Sequence, residues 1–235
     1  MRNAVTKVPV LRVNRDGAVR FDDETAVEGH YLFIVDGSSA EEVVLSPLAL
    51  EEWAVGHLFC AGMISSAQDI LAMEEGDGRI EVRTAAPRPR PGQGPAAAGK
   101  TTPGAIEDGA RWIAEAPLFN RTGGFHAAAL LTQEGRRLAL SEDISRHNAL
   151  DKVIGWALLS GVDLGGTLVI QSGRLPRDMV AKAAAAGIPL LGSVSATTDA
   201  GVSLARERGI TLVSFIREGR MNIHTFPERV IVEKL

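Results

Sequence analysis

Three short, uninterrupted apolar runs in the second half of the chain alternate with helix-like segments, and this alternation constrains the fold most. The runs are TLVIQSG, IPLLGSV and ITLVSFI, which begin at residues 167, 188 and 210. Segments with helical spacing, over residues 176–187 and 199–209, lie between them. Strands that are apolar along their whole length are buried on both faces. The pattern therefore predicts an α/β fold with a largely parallel sheet covered by helices on its faces.

The segment between residues 85 and 104 divides the chain by composition. It carries five prolines and four glycines and little that could fill a core, which is typical of a flexible linker. It also contains three basic residues, Arg88, Arg90 and Lys100. A mobile loop that folds over a ligand is therefore the alternative interpretation. We expect a smaller N-terminal α+β domain over residues 1–104, which ends in this linker, and an α/β domain over residues 105–235.

Cys60 is the only cysteine of the chain. A single cysteine excludes an intramolecular disulfide, a CxxC redox pair and a multi-thiolate zinc site, and we predict no metal site. Cys60 lies in a predicted helix over residues 45–64, for which Ser46 is the expected N-cap. Because unpaired cysteine packs as a small hydrophobe, we interpret Cys60 as a core residue, with a reactive thiol as the alternative.

Charge and hydropathy limit the classes of partner that the chain is expected to bind. Its formal net charge is −4, which gives no overall field that would attract nucleic acid or an acidic membrane surface. The N-terminal residues contain no apolar run long enough for a signal peptide, and no segment approaches eighteen apolar residues. We therefore expect a cytoplasmic protein with neither a nucleic-acid nor a membrane partner.

Polar residues gather at four predicted joints between strands and helices, where open α/β sheets bind their ligands. The joints are NRTGGFH (120–126), QSGRLPRDM (171–179), SVSATTD (193–199) and SFIREGR (214–220). Glycines allow a backbone to approach a ligand closely, and arginine recognises phosphate through two parallel hydrogen bonds. Three of the four joints carry arginine, which predicts a site for a phosphate-bearing ligand. From these joints the weaker binding candidates are Arg121, Gly123, Gly124, His126 and Arg174.

The stretch SEDISRHNALDKVIG, residues 141–155, crowds charged residues before and within a predicted helix. Helical spacing predicts that His147 pairs with Asp151 and that Asn148 pairs with Lys152. We interpret Asp151 and Lys152 as a structural face or a local pair. We expect the preceding group to shape a pocket rim or to fix the strand-to-helix turn. That group consists of Glu142, Asp143, Arg146, His147 and Asn148, of which Arg146 and His147 are further weak binding candidates.

Six segments occur in an order and spacing that resemble the formate dehydrogenase accessory protein family (FdhD/NarQ). They are TGGFHAAAL, EDISRHNALDKVIG, SGRLPRDMVAKAAAAGIPLL, SVSATTDAGVSLA, GITLVSFIREGR and NIHTFPERV. The resemblance runs from about residue 44 to the end and is strongest from residue 120. It implies a cytoplasmic protein that formate dehydrogenase needs for activity, with a C-terminal three-layer domain similar to cytidine deaminase.

The resemblance also implies a chemistry. Members of the family are described as sulfurtransferases that take persulfide sulfur from a cysteine desulfurase. They pass it to the molybdenum bis(molybdopterin guanine dinucleotide) cofactor before insertion into the formate dehydrogenase catalytic subunit. The resemblance suggests a homodimer, and a GDP-like nucleotide is a possible ligand. The family's cofactor-binding segment falls on Phe215, Ile216, Arg217, Glu218, Gly219 and Arg220.

The sequence departs from the family pattern where sulfur would be carried. The family's CxxC cysteines lie in a loop that corresponds roughly to residues 85–104, which contain no cysteine here. Only a thiolate can hold a persulfide, so sulfur relay through that loop is not expected. Ser145 also stands where the family usually has glycine. Zinc deaminase chemistry needs H-x-E and P-C-x-x-C, but Ala128 occupies the glutamate position and the thiolate pair is missing.

Three hypotheses for the function follow. The first is a maturation factor that binds the molybdenum cofactor and supports its sulfuration and insertion, with sulfur transfer by this chain weakened or absent. The second is an active sulfurtransferase that uses Cys60 or a thiol of a partner. The third is an interaction paralogue that binds a desulfurase or dehydrogenase without the cofactor. No residue can be assigned general acid or base chemistry from the sequence.

Overall fold

The chain forms three β-sheets and six α-helices within residues 3–85 and 99–232, which are the residues that the computed structural model describes. Residues 86–98, and with them most of the predicted linker including Arg88 and Arg90, lie outside the described residues. Among the described helices, none combines the length and the apolar character that crossing a bilayer requires.

The N-terminal part contains two of the sheets. Strands β1 (Val5–Asn14) and β2 (Gly17–Ala26) form an antiparallel ribbon. A four-stranded sheet has the order β4-β3-β6-β5. Its strands are β3 (Gly29–Val35), β4 (Ser39–Leu45), β5 (Ile70–Gly76) and β6 (Arg79–Thr84). Helix α1 (Leu50–Cys60) covers this sheet with the fully buried side chains of Trp53 and Leu58.

The predicted N-cap of α1 is wrong. The helix begins at Leu50, after Ala49 in a left-handed conformation, and not at Ser46. The backbone N–H of Ser46 instead donates to Asp143, and its hydroxyl oxygen accepts from Lys152. Because both groups of Ser46 have partners in another part of the chain, they do not cap a helix.

The C-terminal part is built on a six-stranded sheet with the order β12-β11-β10-β9-β7-β8. Its strands are β7 (His126–Thr132), β8 (Arg137–Asp143), β9 (Thr167–Gln171), β10 (Leu190–Ser193), β11 (Thr211–Arg217) and β12 (Arg220–Ile223). Only β9, β10 and β11 are parallel to one another, so the prediction of a largely parallel sheet is wrong for its outer strands. Short turns join β7 to β8 and β11 to β12, and such turns produce antiparallel pairs.

Helices cover both faces of this sheet and give it three layers. The helices are α2 (Pro103–Ala114), α3 (Pro117–Thr122), α4 (Arg146–Leu159), α5 (Arg177–Ala185) and α6 (Asp199–Glu207). On one face α2 packs with Ile106 and Ile113 against the sheet, and on the other α4, α5 and α6 form a second apolar core. The sequence-predicted α/β class is therefore confirmed as a mixed α/β fold.

The two parts meet where α1 crosses α4. A Cβ atom added to Gly56 would lie 1.9 Å from the carbonyl oxygen of Asp151, and one added to Gly155 would lie 1.8 Å from that of Glu52. Only hydrogen at these two positions allows the helix backbones to touch. The proposed domain division near residue 104 stays a prediction, and α1 packs directly on the C-terminal part.

Candidate functional site

A cavity of about 610 Å³ opens at one end of the six-stranded sheet, beside α2. The residues after β9, after β10 and at the end of β11 reach it, as does the segment that leads into β7. Its wall is mainly apolar and includes Ile113, Phe125, Ile144, Val194 and Ile216. A cavity of this size and character at the carboxyl ends of parallel strands is the usual form of a small-molecule site.

His126 and Ser172 form a polar pair in the cavity wall. Their Nδ1 and Oγ atoms lie 3.0 Å apart, and the same Oγ accepts the backbone N–H of Ala127 at 3.0 Å. Burial lowers the pKa of His126, and the nearby guanidinium of Arg146 lowers it further, while Asp143 acts in the opposite direction. His126 is therefore neutral near pH 7, and the serine hydroxyl fixes the orientation of its ring.

The charged part of the wall carries two guanidinium groups and two carboxylates, those of Arg111, Arg217, Glu107 and Glu218. Nη1 of Arg217 donates to the carbonyl oxygens of Val194 at 2.6 Å and Ile216 at 2.7 Å. These bonds hold the side chain against the sheet end. Arg111 pairs with Asp108. The hydrogen bond and charge of Asp108 raise the pKa of Arg111, and the charges of Glu107 and Glu218 raise it further.

An irregular backbone brings the end of β11 to the cavity. The register with β12 shifts between Ser214 and Arg217, and Phe215 adopts a left-handed conformation with φ of 51°. Such a conformation is strained for a residue other than glycine and occurs often at functional sites. Ile216 and Arg217 then line the cavity, while Phe215 is 41% exposed.

The structure divides the predicted binding residues into those that line the cavity and those that do not. Six of them line the cavity: Gly123, Gly124, His126, Ile216, Arg217 and Glu218. The other members of the family segment, Phe215, Gly219 and Arg220, lie beside it around the exposed turn between β11 and β12. No ligand contact tests these assignments, and they stay predictions.

Arg121, His147 and Arg174 bind other parts of the fold or are exposed, whereas Arg146 lies near His126. Arg121 forms two hydrogen bonds with Glu24 at 2.8 and 2.9 Å, and His147 lies 3.5 Å from Asp178. Arg174 is exposed in the connection from β9 to α5. The positive charge of Arg146 lowers the pKa of His126. The buried Nε of Arg146 has no hydrogen-bond partner among the described residues.

Sequence reasoning missed part of the wall. Ser172 lies in a joint that the sequence predicted, so the strand-end rule could have found it. Glu107, Arg111 and Ile113 come from α2, whose spacing predicts only an amphipathic helix. Phe125 and Ile144 are apolar and give no sequence signal for a site.

The stretch of residues 141–155 contains a buried ionic network. Lys152 and Asp143 are 1% and 0% exposed, and Nζ of Lys152 donates to Oδ2 of Asp143 at 2.6 Å and to the hydroxyl of Ser46 at 2.7 Å. Asp143 also accepts from the backbone N–H groups of Ser46 and Ser145 and from the side chain of Asn148. The network therefore joins the turn between β8 and α4 to the connection between β4 and α1.

The predicted local pairing of Asp151 and Lys152 is wrong, because both residues bind partners from other parts of the chain, but these buried contacts agree with their interpretation as structural residues. Asp151 is 1% exposed, and both of its carboxylate oxygens accept from Nζ of Lys182 at 2.6 Å. Its Oδ2 also lies 3.4 Å from Nδ1 of His57. The predicted partners, His147 and Asn148, bind Asp178 and Asp143 instead. The expectation that Asp143 and Asn148 fix the strand-to-helix turn agrees with these contacts.

Cys60 lies away from the cavity, at the end of α1. It is half-buried, its Sγ lies 3.9 Å from the carbonyl oxygen of Lys182, and it packs against the core formed by α4 and α5. Within residues 3–85 and 99–232, no group of three or more His, Cys, Asp or Glu side chains is placed to hold a metal ion.

Comparison with known proteins relates the whole chain to one family. The sequence model of the FdhD/NarQ family matches residues 98–231. Sulfur carrier protein FdhD of Anaeromyxobacter dehalogenans is 35% identical over 97% of this chain and 94% of its own length. That of Methanothermobacter thermautotrophicus is 32% identical over 84% of this chain and 87% of its own length.

A solved structure agrees with these matches. The crystal structure described as that of a formate dehydrogenase accessory protein from Desulfotalea psychrophila superposes with a TM-score of 0.86 at 30% identity. The superposition covers 97% of this chain and 100% of the other. The motifs, the sequence matches and the fold thus agree, and the chain belongs to the FdhD/NarQ family.

Proposed function

We propose that this chain is an accessory protein of formate dehydrogenase that binds one guanine-nucleotide arm of molybdenum bis(molybdopterin guanine dinucleotide) in the 610 Å³ cavity. The observation that carries the proposal is the cavity itself, at the strand ends, with Arg217 beside an apolar wall. An apolar slot suits a planar ring, and a guanidinium at its rim suits a phosphate.

The chemical character of the lining residues and the volume of the cavity both suit one guanine-nucleotide arm of the cofactor. Pockets of about 300–1,000 Å³ hold drug-sized ligands, so this cavity accommodates one nucleotide arm, and the rest of a two-armed cofactor extends beyond it. Arg217 and Arg111 would hold phosphate, and Glu107 or Glu218 would accept hydrogen bonds from ring N–H groups. When bound, the cofactor supplies the molybdenum centre, while this chain binds and orients it.

The proposal includes a weak or absent sulfur transfer by this chain. Its curated relatives are called sulfur carrier proteins, and a carrier needs a thiolate. Cys60 is the only thiol, it packs against a core, and it does not line the cavity. Sulfuration of the cofactor would then depend on a thiol of a partner, for which a cysteine desulfurase is the proposed source.

Calorimetric titration with GDP tests the binding site. We expect saturable binding to wild type and at least about tenfold weaker binding to Arg217→Ala, because a charge-assisted contact contributes about 1.5–3 kcal/mol. Arg206→Ala, which removes an exposed arginine in the last turn of α6, is the matched control and should bind as wild type does. Absence of binding to wild type, or equal affinity of Arg217→Ala, would contradict the proposal.

Labelled sulfur tests the transfer step separately. Incubation with a cysteine desulfurase and ³⁵S-cysteine should leave this chain unlabelled. Label that is lost in Cys60→Ser would support the alternative, an active sulfurtransferase that uses Cys60. A pull-down of desulfurase or dehydrogenase that survives substitution of Arg217 and Arg220, without GDP binding by wild type, would support an interaction paralogue.

The remaining expectations belong to the same proposal. The C-terminal domain is proposed to be of the cytidine-deaminase-like type, which its three helix–sheet–helix layers support. The proposed location is the cytoplasm. The proposed partners are a cysteine desulfurase, the formate dehydrogenase catalytic subunit and a second copy of this chain.

A further inference from the structure

The ribbon of β1 and β2 projects from the molecule with little cover. Among the residues that the structure describes, its two ten-residue strands pair only with each other, and all residues from Leu11 to Arg20 are exposed. Three of them are apolar, namely Leu11, Val13 and Val19, with 51%, 71% and 54% exposure. A two-stranded ribbon is marginally stable in water by itself, and a long uncovered strand edge tends to pair with another strand.

The base of the ribbon, in contrast, is fixed to the wall of the cavity. Ala4 and Val5 are buried with Phe125, which lines the cavity. Glu24 accepts both hydrogen bonds of Arg121, at 2.8 and 2.9 Å. The base therefore holds the ribbon in one orientation, and its free part extends beyond the body of the protein.

The charges along the ribbon are complementary to those of an antiparallel copy. Residues 11–20 contain three arginines and one aspartate, whereas residues 21–26 contain three acids and no basic residue. Within β2, Arg20 precedes Asp22 by two positions, so their side chains share a face. Two β2 strands in antiparallel orientation place Arg20, the basic residue of β2, beside the acidic residues of the other strand.

We propose that β2 pairs antiparallel with β2 of a second copy, with Phe21 on the two-fold axis, so that the two ribbons form one four-stranded sheet. This inference rests on the proposed homodimer and assigns its surface. In this register Arg20 lies opposite the partner's Asp22, and Asp22 lies opposite the partner's Arg20. A two-fold interface repeats each contact, so one favourable pair occurs twice.

The two faces of the joined sheet agree with this register. Val10 lies opposite Phe21 and Arg12 opposite Val19 in the ribbon, so Val10, Val19 and Phe21 share one face. Phe21 is half-buried under the guanidinium of Arg12, whose carbon lies 4.3 Å from the ring centroid. Pairing at Phe21 brings the apolar groups of both copies into one cluster.

The other strand of the ribbon is less suited to pairing. Proline lacks a backbone N–H, and a proline within an edge strand blocks the addition of a further strand. Pro9 lies inside β1, whereas β2 has no proline. The edge that can accept a partner is therefore that of β2.

Sedimentation velocity on the full chain over a range of concentrations tests the surface. We expect wild type to dimerise and both Arg20→Asp and Asp22→Arg to associate on the order of tenfold or more weakly, because each places like charges opposite each other twice. Arg15→Asp makes the same charge change in the turn beyond the paired residues and should dimerise as wild type does. Equal thermal midpoints of the variants establish that each is folded.

An equimolar mixture of Arg20→Asp and Asp22→Arg gives the decisive result. The heterodimer has opposite charges at both contacts, so native mass spectrometry should show it in excess over either homodimer. A monomeric wild type would overturn the homodimer and this surface together. A dimer that Arg20→Asp leaves unchanged, that Arg15→Asp weakens equally, or that the mixture does not restore would overturn only the surface. GDP titration remains an independent measure of the cavity.

Discussion

Replacement of Lys152 by methionine should destabilise the protein strongly, since it removes one charge from a buried pair. Lys152 Nζ lies 2.6 Å from Oδ2 of Asp143, and neither side chain is more than 1% exposed. Burial lowers the pKa of Lys152, which the Asp143 carboxylate opposes. Lys152→Met keeps an unbranched side chain as far as Cε, and with it most of the packing, so the change isolates the loss of the ammonium group.

The structure indicates a loss at the lower end of the usual range. Breaking a buried ion pair by removal of one partner typically costs about 3–5 kcal/mol, because the other charge is left buried. Asp143 keeps three hydrogen-bond donors, from Ser46, Ser145 and Asn148, which stabilise its negative charge. We therefore expect Lys152→Met to lower the free energy of unfolding by about 3 kcal/mol.

Urea-induced unfolding, followed by circular dichroism at pH 7, measures this loss. The control is Arg111→Met, which removes a cation from an exposed ion pair with Asp108 and should leave the free energy of unfolding close to that of wild type. A second substitution, Asp143→Leu in the Lys152→Met background, should not restore stability, because the three remaining donors would lose their acceptor. A loss below about 1 kcal/mol for Lys152→Met would refute the reasoning, since the pair would then contribute no more than an exposed one.

Two further predictions concern stability. Gly56→Ala should lower the free energy of unfolding by about 3 kcal/mol, because its methyl group would meet the carbonyl oxygen of Asp151 at 1.9 Å and force α1 away from α4. Gly104→Ala, where the nearest atom is 3.8 Å away, is the control, and equal thermal midpoints of the two variants would contradict the close crossing. Burial lowers the pKa of three histidines from 6.5, namely His126, His147 and His224. The unfolded chain then binds protons near pH 6.5 that the folded chain binds only at lower pH, so the free energy of unfolding should fall as the pH drops from about 6.5 through the folded-state pKa values. Urea titrations between about pH 7.5 and about pH 5 measure this, and stability that rises on acidification would contradict it.

The central fold could be predicted because local patterns determine it. Apolar runs gave the strands β9, β10 and β11, and their parallel order follows from the helices between them. The antiparallel pairing of the outer strands could not be predicted, since a run such as that of β7 has the same composition in a parallel or an antiparallel pair. The start of α1 could not be predicted, because Ser46 has its partners about one hundred residues further along the chain.

The candidate site shows the same division between local and distant information. The strand-end rule located Arg217 from the sequence, because parallel strands end at one edge of their sheet. His126 lies at the same edge because β7 is antiparallel to β9 and begins where β9 ends. The sequence of α2 gives no such signal for the apolar wall, since the spacing of Ile113 is that of an ordinary core residue. Its role as cavity wall depends on how α2 lies across the sheet, and no local pattern specifies that.

A motif that is specific to a family need not contact a ligand, and the EDISRHNALDK segment of this chain is an example. In EDISRHNALDK the side chains of Asp143, Asn148 and Lys152 bind one another or the connection before α1, and none of them lines the cavity. A buried ionic network tolerates few substitutions, because each member left alone is costly. Such a motif can therefore identify a family by a structural requirement. It also affects the cavity indirectly, because His126 pairs with Asp143 across β7 and β8, and a shift of Asp143 would move the ring that lies beside Ser172.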